Sequence, residues 1–239
     1  MRPTTNDQRR KRRSRWPSWQ DLVRRGADIV ISALLLVCIA PWFLLIAIWI
    51  KFDSPGAVFF RQVRVGKHGR PFQLIKLRSM FENPASPGPE ITADGDARIT
   101  RVGRHLRHWK LDELPQLWNV LRGDMTLVGP RPEVPKWVDA WPTEAAELIL
   151  GTRPGMTDPV TLQLRHEEWL LATVEDPEAY YREVLLKWKA EAYVDYLRRR
   201  SLARDAMLLA TTFWTILIER HSQSFTQLPL QSANSQTDS

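Results

Sequence analysis

Cysteine is nearly absent: Cys38 is the single thiol in 239 residues. That excludes a disulfide framework within the chain and zinc held by thiolates, and it fits a reducing compartment. No GxxxxGK[ST] or GxGxxG stretch occurs, which removes a P-loop and a dinucleotide fingerprint. No Gly-x-Ser-x-Gly elbow is present either. The five histidines (His68, His105, His108, His166 and His221) show no metal-ligating spacing, and no internal repeat is visible. What is left for chemistry is carboxylates and cations.

Positive charge is abundant. The net charge is +7 and the pI about 9.8, which points to an anionic partner: nucleic acid, a membrane surface or a phosphorylated substrate. Hydrophobic residues make up 44% of the chain, enough for a packed core. Residues 1–20 read as a disordered basic arm around Arg9-Arg10-Lys11-Arg12-Arg13, suited to anionic lipid headgroups or to nucleic acid.

Ile29 to Ile50 carries no charged residue over 22 positions, the length of a bilayer segment. Pro41 lies near its middle and basic residues flank both ends, a symmetry that frustrates a simple crossing. A re-entrant helical hairpin over 21–52, broken at Ala40-Pro41, satisfies both flanks; a kinked single span is the alternative. A cytoplasmic domain over 53–221 follows, then a disordered polar tail over 222–239. Within the domain, Val58 to Arg64 and Pro71 to Leu77 read as a β-hairpin, and Glu82 to Ala97 as a mobile loop. Thr100 to Trp109 reads as a basic helix with Arg101, Arg104 and Arg107 on roughly one face. One or two helices break around Pro142, Arg153 to Thr157 forms a turn, and helix covers Pro177 to Arg200. A last helix, Leu202 to Glu219, carries an apolar block too short to span, so it is interfacial or core-packed. The expected fold is α+β and mainly helical, with the re-entrant membrane segment, a small β-sheet and interfacial amphipathic helices.

The organising stretch runs from Arg107 to Glu133. Leu111, Leu114, Leu117, Trp118 and Leu121 have the spacing of a buried helix face. Asp112 lies where that helix begins, with Glu113 beside it and Pro115 in the first turn. Taken alone, Asp112 reads as an N-cap; the sharper reading is a catalytic carboxylate pair beside a phosphate-binding patch.

Several ordered motifs bring a resemblance. They are Arg24-Arg25-Gly26-Ala27-Asp28, Pro41, Phe60-Arg61-Gln62, Lys76-Leu77-Arg78-Ser79-Met80 and Thr100-Arg101-Val102-Gly103. Leu111-Asp112-Glu113-Leu114-Pro115-Gln116-Leu117-Trp118-Asn119 is the strongest, followed by Val128-Gly129-Pro130-Arg131-Pro132-Glu133 and Arg153-Pro154-Gly155. Together they resemble the bacterial sugar transferases in their compact form, monotopic phosphoglycosyl transferases acting on polyprenyl phosphate.

The resemblance implies an enzyme that moves a sugar 1-phosphate from a UDP-sugar to polyprenyl (undecaprenyl) phosphate, releasing UMP, with Mg2+, at the cytoplasmic face of the bacterial inner membrane. It implies that Asp112 is the nucleophile, also near the metal, and that Glu113 is its catalytic neighbour. Lys76, Arg107 and Arg131 become candidates for phosphate contacts, with Arg78, Glu133 and Arg153 behind them. Expected partners are the two substrates, anionic lipids of the inner leaflet and downstream glycosyltransferases, and no nucleic acid. One departure stands out: Asp158-Pro159-Val160-Thr161-Leu162-Gln163 replaces the Gly-Trp-Ala-Gln-Val type of segment common in the family, which leaves the sugar open. A membrane-tethered basic scaffold and a membrane-associated phosphohydrolase are the competing classes.

Overall fold

The computed structural model describes residues 18–81, 92, 96–164 and 167–217. Of the expected basic arm only residues 18–20 fall within these. The expected mobile loop over 82–97 lies mostly outside them, and the 222–239 tail wholly so.

Helix α1, Trp19–Asp53, dominates the molecule. A reciprocal capping box starts it: the Asp21 amide donates to the Ser18 hydroxyl at 3.2 Å, and the Ser18 amide donates to Asp21 Oδ2 at 3.1 Å. The structure does not show the break expected at Ala40-Pro41, because α1 runs through both residues. A proline inside a helix forfeits one backbone hydrogen bond and can be carried without ending it. Among the described residues α1 is the one helix long and apolar enough to cross a membrane, and only 6% of its most apolar window is buried. A core helix would bury most of that window. Instead α1 turns a narrow stripe, including Asp28, Ser32, Phe43, Ile46 and Ile50, toward the rest of the chain and leaves Val30, Leu34, Val37, Trp42, Leu44 and Leu45 exposed.

Both ends of α1 are tied to the same folded unit. Near its start, Arg25 donates to the carbonyls of Val120 (2.6 Å) and Leu121 (2.8 Å), and Asp28 accepts from the Leu127 amide at 2.9 Å. At its far end Asp53 accepts from the Val102 amide at 3.1 Å. The Arg78 guanidinium there donates to the Ser54 carbonyl at 2.6 Å, a cation on the helix's negative pole.

The hairpin forms as expected: β1 (Phe59–Val65) pairs antiparallel with β2 (Pro71–Leu77), in a register that sets Phe59 opposite Leu77 and Val65 opposite Pro71. Helix α2 (Arg101–His108) follows, capped by the Thr100 side chain, and α3 (Gln116–Arg122) lies against β2. A second sheet was not foreseen. Strand β3 (Thr126–Val128) pairs in parallel with β4 (Gly155–Thr157), where the sequence suggests only a turn. Three-residue strands carry too little alternation to be seen.

The helical remainder comprises α4 (Pro135–Val138), α5 (Thr143–Leu150), α6 (Pro159–Gln163), α7 (Glu167–Ala172), α8 (Pro177–Tyr180), a π-turn at Tyr181–Leu185, α9 (Leu186–Arg198) and α10 (Leu202–Leu217). The break around Pro142 and the helical run to Arg198 agree with expectation; α6 and α7 are additions. Their core is built on Trp137, Trp141, Leu170, Leu185, Leu186 and Tyr193. Helix α10 divides its faces: Leu208 and Leu209 pack inward, while Met207, Phe213 and Trp214 are exposed.

One close approach fixes α2 against the end of β2. A Cβ on Gly103 would lie 1.9 Å from the Ser79 carbonyl oxygen, with rigid backbone on both sides. Gly103→Ala is expected to destabilise by about 3 kcal/mol through overpacking, visible as a Tm lowered by roughly 5–10 °C in detergent. An unchanged Tm would show that the helix can shift freely.

Candidate active site

Asp112 and Glu113 sit in a 3-10 turn, Leu111–Glu113, wedged between α2 and α3. Lys110 just before it takes a left-handed backbone (φ 55°, ψ 21°), uncommon for a residue with a side chain. That residue ends the direction of α2 and redirects the chain inward. Asp112 is consequently buried, at 4% exposure. It is not an N-cap: α3 begins after Pro115 with no side-chain cap, and Asp112 Oδ1 is buried with no hydrogen-bond partner among the described residues. A buried carboxylate oxygen left unpaired costs stability, so it asks for a functional reason.

Glu113 has the opposite surroundings. Arg131 grips it with a two-pronged fork, Nη1 reaching Oε2 at 3.1 Å and Nη2 reaching Oε1, and Lys76 Nζ approaches Oε1 at 3.3 Å. These contacts join three segments: β2 supplies Lys76, the 3-10 turn supplies Glu113, and the Gly129-Pro130 turn after β3 supplies Arg131. Asn119 on α3 locks the geometry, donating to the Gln73 carbonyl at 2.7 Å and accepting from the Ile75 amide at 3.1 Å.

The two carboxylates are driven apart electrostatically. Burial, then the neighbouring Glu113 charge, pushes the Asp112 pKa above the usual carboxylate range, against Lys76 and Arg107. Burial would raise Glu113 too, but Arg131 and Lys76 outweigh it and hold Glu113 well below that range. Lys76 is pulled down by burial and by the like charge of Arg131, with Glu113 opposing. Glu113 is therefore a fixed anion that organises cations, and Asp112 a dehydrated, under-coordinated one.

The remaining candidates divide. Arg107 pairs with Glu168 at the start of α7, its Nε without a partner among the described residues, and its charge reaches Asp112. Glu133 lies one layer away, accepting from Tyr181 Oη at 2.7 Å, with Arg64 at 3.5 Å. Arg78 and Arg153 are not joined to this cluster by any hydrogen bond among the described residues. Arg78 clasps the end of α1, and Arg153 donates to the Gly123 carbonyl at 3.0 Å. Sequence reasoning missed Arg64, Tyr181, Lys189 and Asp158. Lys189 is buried and donates to Glu167 at 2.7 Å; Asp158 is fully buried and caps α6. Their signal was weak, because Asp158 lies in the segment that departs from the expected pattern, Arg64 is one of two arginines on β1, and Tyr181 and Lys189 fall in an ordinary helical stretch.

The family model described as "Bacterial sugar transferase" matches residues 19–219, so it takes in α1, the hairpin and the whole Asp112 cluster. The chain belongs to the bacterial sugar transferase family. The UDP-glucose:undecaprenyl-phosphate glucose-1-phosphate transferase of Caulobacter vibrioides is 41% identical over 199 residues, covering 82% of this chain and 70% of that protein. An Aeromonas hydrophila UDP-N-acetylgalactosamine-undecaprenyl-phosphate N-acetylgalactosaminephosphotransferase is 36% identical over 197 residues, 82% of this chain. This sugar transferase spans only 44% of that longer relative. The exopolysaccharide production protein ExoY of Sinorhizobium fredii is 38% identical over 149 residues, covering 56% of this chain and 66% of that protein.

Proposed function

We propose that this sugar transferase moves a sugar 1-phosphate from a UDP-sugar to polyprenyl phosphate, giving polyprenyl-diphosphate-sugar and UMP, by way of a covalent phosphosugar on Asp112. The observation that carries this reading is the buried, unpaired Asp112 Oδ1 beside a Glu113 already saturated by Arg131 and Lys76. In the first half-reaction an Asp112 oxygen bonds to the sugar-bearing phosphorus, and that phosphorus loses its bond to the bridging oxygen, which leaves with UMP. In the second, an oxygen of the acceptor phosphate bonds to the same phosphorus and the Asp112 carboxylate is regenerated. Dividing the reaction this way lets both phosphates use one site in turn. Repulsion between the carboxylate and a diphosphate is offset by Lys76, Arg131 and Arg107.

Magnesium fits the donor set. Mg2+ takes one or two protein carboxylates and fills its shell with phosphate oxygens and water, and among the described residues no cluster of three or more His, Cys, Asp or Glu forms a protein cage. Asp112 would hold it, and the ion would neutralise charge on the diphosphate. Attachment of both α1 ends to one folded unit supports a domain held on one membrane face, with α1 docked along it. We place that face in the cytoplasm, where the lipid-linked product begins polysaccharide or glycoconjugate synthesis.

The test is UMP release by detergent-purified protein with Mg2+ and polyprenyl phosphate across UDP-sugars, including UDP-glucose and UDP-N-acetylgalactosamine. UMP that depends on the lipid, from one sugar far above the rest, is the expected result. Turnover indifferent to the lipid would favour a phosphohydrolase, and no turnover by folded protein would favour a scaffold.

A further inference from the structure

Gln116, four residues after Asp112, is a buried polar residue that the reaction above does not use. It is 1% exposed, yet its amide nitrogen is buried with no hydrogen-bond partner among the described residues. A buried amide nitrogen left without an acceptor destabilises the fold, and a methionine of similar length would avoid that cost. Native structures hold few such groups.

Its position is fixed from two sides. Gln116 opens α3, and one turn later Asn119 is pinned to β2 through Gln73 and Ile75. One turn earlier Glu113 is pinned to the next β2 residue, Lys76. Residues 111–115 keep a right-handed helical course, with Leu114 N–H bonding to the Leu111 carbonyl and Leu117 N–H to the Leu114 carbonyl. Gln116 thus follows Asp112 by one turn, on the face between Glu113 and Asn119 that both use to reach β2. Two buried atoms a turn apart, Asp112 Oδ1 and Gln116 Nε2, lack a hydrogen-bond partner among the described residues: one is an acceptor, the other a donor.

We infer that Gln116 is a further active-site residue, whose side-chain amide donates a hydrogen bond to an oxygen of the phosphoryl group while that group is being transferred to and from Asp112. This rests on the transferase reading. A neutral donor is apt there: Lys76 and Arg131 are already engaged with Glu113, and a neutral amide approaches the phosphoryl group without drawing the Asp112 carboxylate into a permanent ion pair. The donor acts where charge builds on the phosphoryl oxygens, so its loss should appear in kcat more than in donor KM.

The experiment compares wild type, Gln116→Met and Gln116→Glu in lipid-dependent UMP release, with Tm measured on each. Gln116→Met is expected to keep or raise Tm and to lose about 10²-fold in kcat, the effect of deleting one transition-state donor, with donor KM changed by less than about threefold. Gln116→Glu should be slower still, because it sets an anion against the phosphoryl group. Wild-type kcat in the Met variant, or activity lost only in step with a falling Tm, would overturn the inference and leave the transferase reading intact. A wild type that releases no lipid-dependent UMP would overturn that reading and this inference with it.

Discussion

Asp112→Asn is expected to lower lipid-dependent UMP release by about 10⁴-fold, the scale seen when a covalent nucleophile is removed, while Tm stays within about 2 °C of wild type or rises. The two halves of this result come from one feature. Asp112 is buried with an unpaired oxygen, and burial together with Glu113 makes its charge costly. Asparagine keeps the shape and removes the charge, so the fold gains what the reaction loses. A structural aspartate behaves in the reverse way, since its loss would strip a cap or ion pair and lower Tm. Loss of activity with a Tm drop of more than about 5 °C, a fall worth more than 1 kcal/mol, would return Asp112 to a structural role.

Glu113→Gln should damage both properties. It leaves Arg131 and Lys76 facing each other, mostly buried, without the anion both contact. Breaking such a pair is expected to cost about 2–3 kcal/mol, below the fully buried range because each partner keeps some solvent contact. Activity should fall by about 10²-fold as the cations lose their fixed positions. The pH dependence gives a finer check. Glu113 is held well below its unfolded pKa of about 4.3, so its contribution to stability is present above that pH and fades as pH drops toward the folded value. Asp112 has the opposite sign: its pKa is raised in the fold, so its charge penalises the native state above that value and the penalty lifts on acidification. Catalysis needs the ionised form, so the acid limb of kcat/KM, which reports the free enzyme, should lie above the roughly pH 3.9 of an ordinary aspartate. In Glu113→Gln, where the neighbouring anion is gone, that limb should move to lower pH. A limb that stays in place would mean Glu113 does not influence Asp112.

Much of the site could be read from the chain because its residues are local. Asp112 and Glu113 are adjacent, Lys76 belongs to a hairpin whose limits the sequence marks with Gly66 and Gly69, and Arg131 sits in a Gly-Pro turn. What local pattern could not supply was direction. Whether Asp112 capped a helix or faced inward depended on the left-handed turn at Lys110, and lysine gives no hint of that conformation. Arg78 and Arg153 looked like phosphate contacts because they are cations in the right motifs. In the fold each donates to backbone carbonyls tens of residues away, a pairing only the folded chain reveals. The parallel β3–β4 pair escaped for the same reason: two three-residue strands nearly thirty residues apart, fitted closely enough that a Cβ on Gly155 would lie 2.2 Å from the Gly129 nitrogen. The apolar length of α1 was plain, whereas its unbroken passage through Pro41 was not.

The central claim is that Asp112 takes the phosphosugar before the lipid arrives. Rapid-quench measurement of UMP from enzyme, Mg2+ and the cognate UDP-sugar, with no lipid acceptor present, addresses it most directly. A burst approaching one UMP per active protein, absent in Asp112→Asn and followed by sugar transfer when polyprenyl phosphate is added, is the predicted result. UMP that forms only after the acceptor is added, with no burst beforehand, would contradict the covalent route and point to direct transfer between the two substrates.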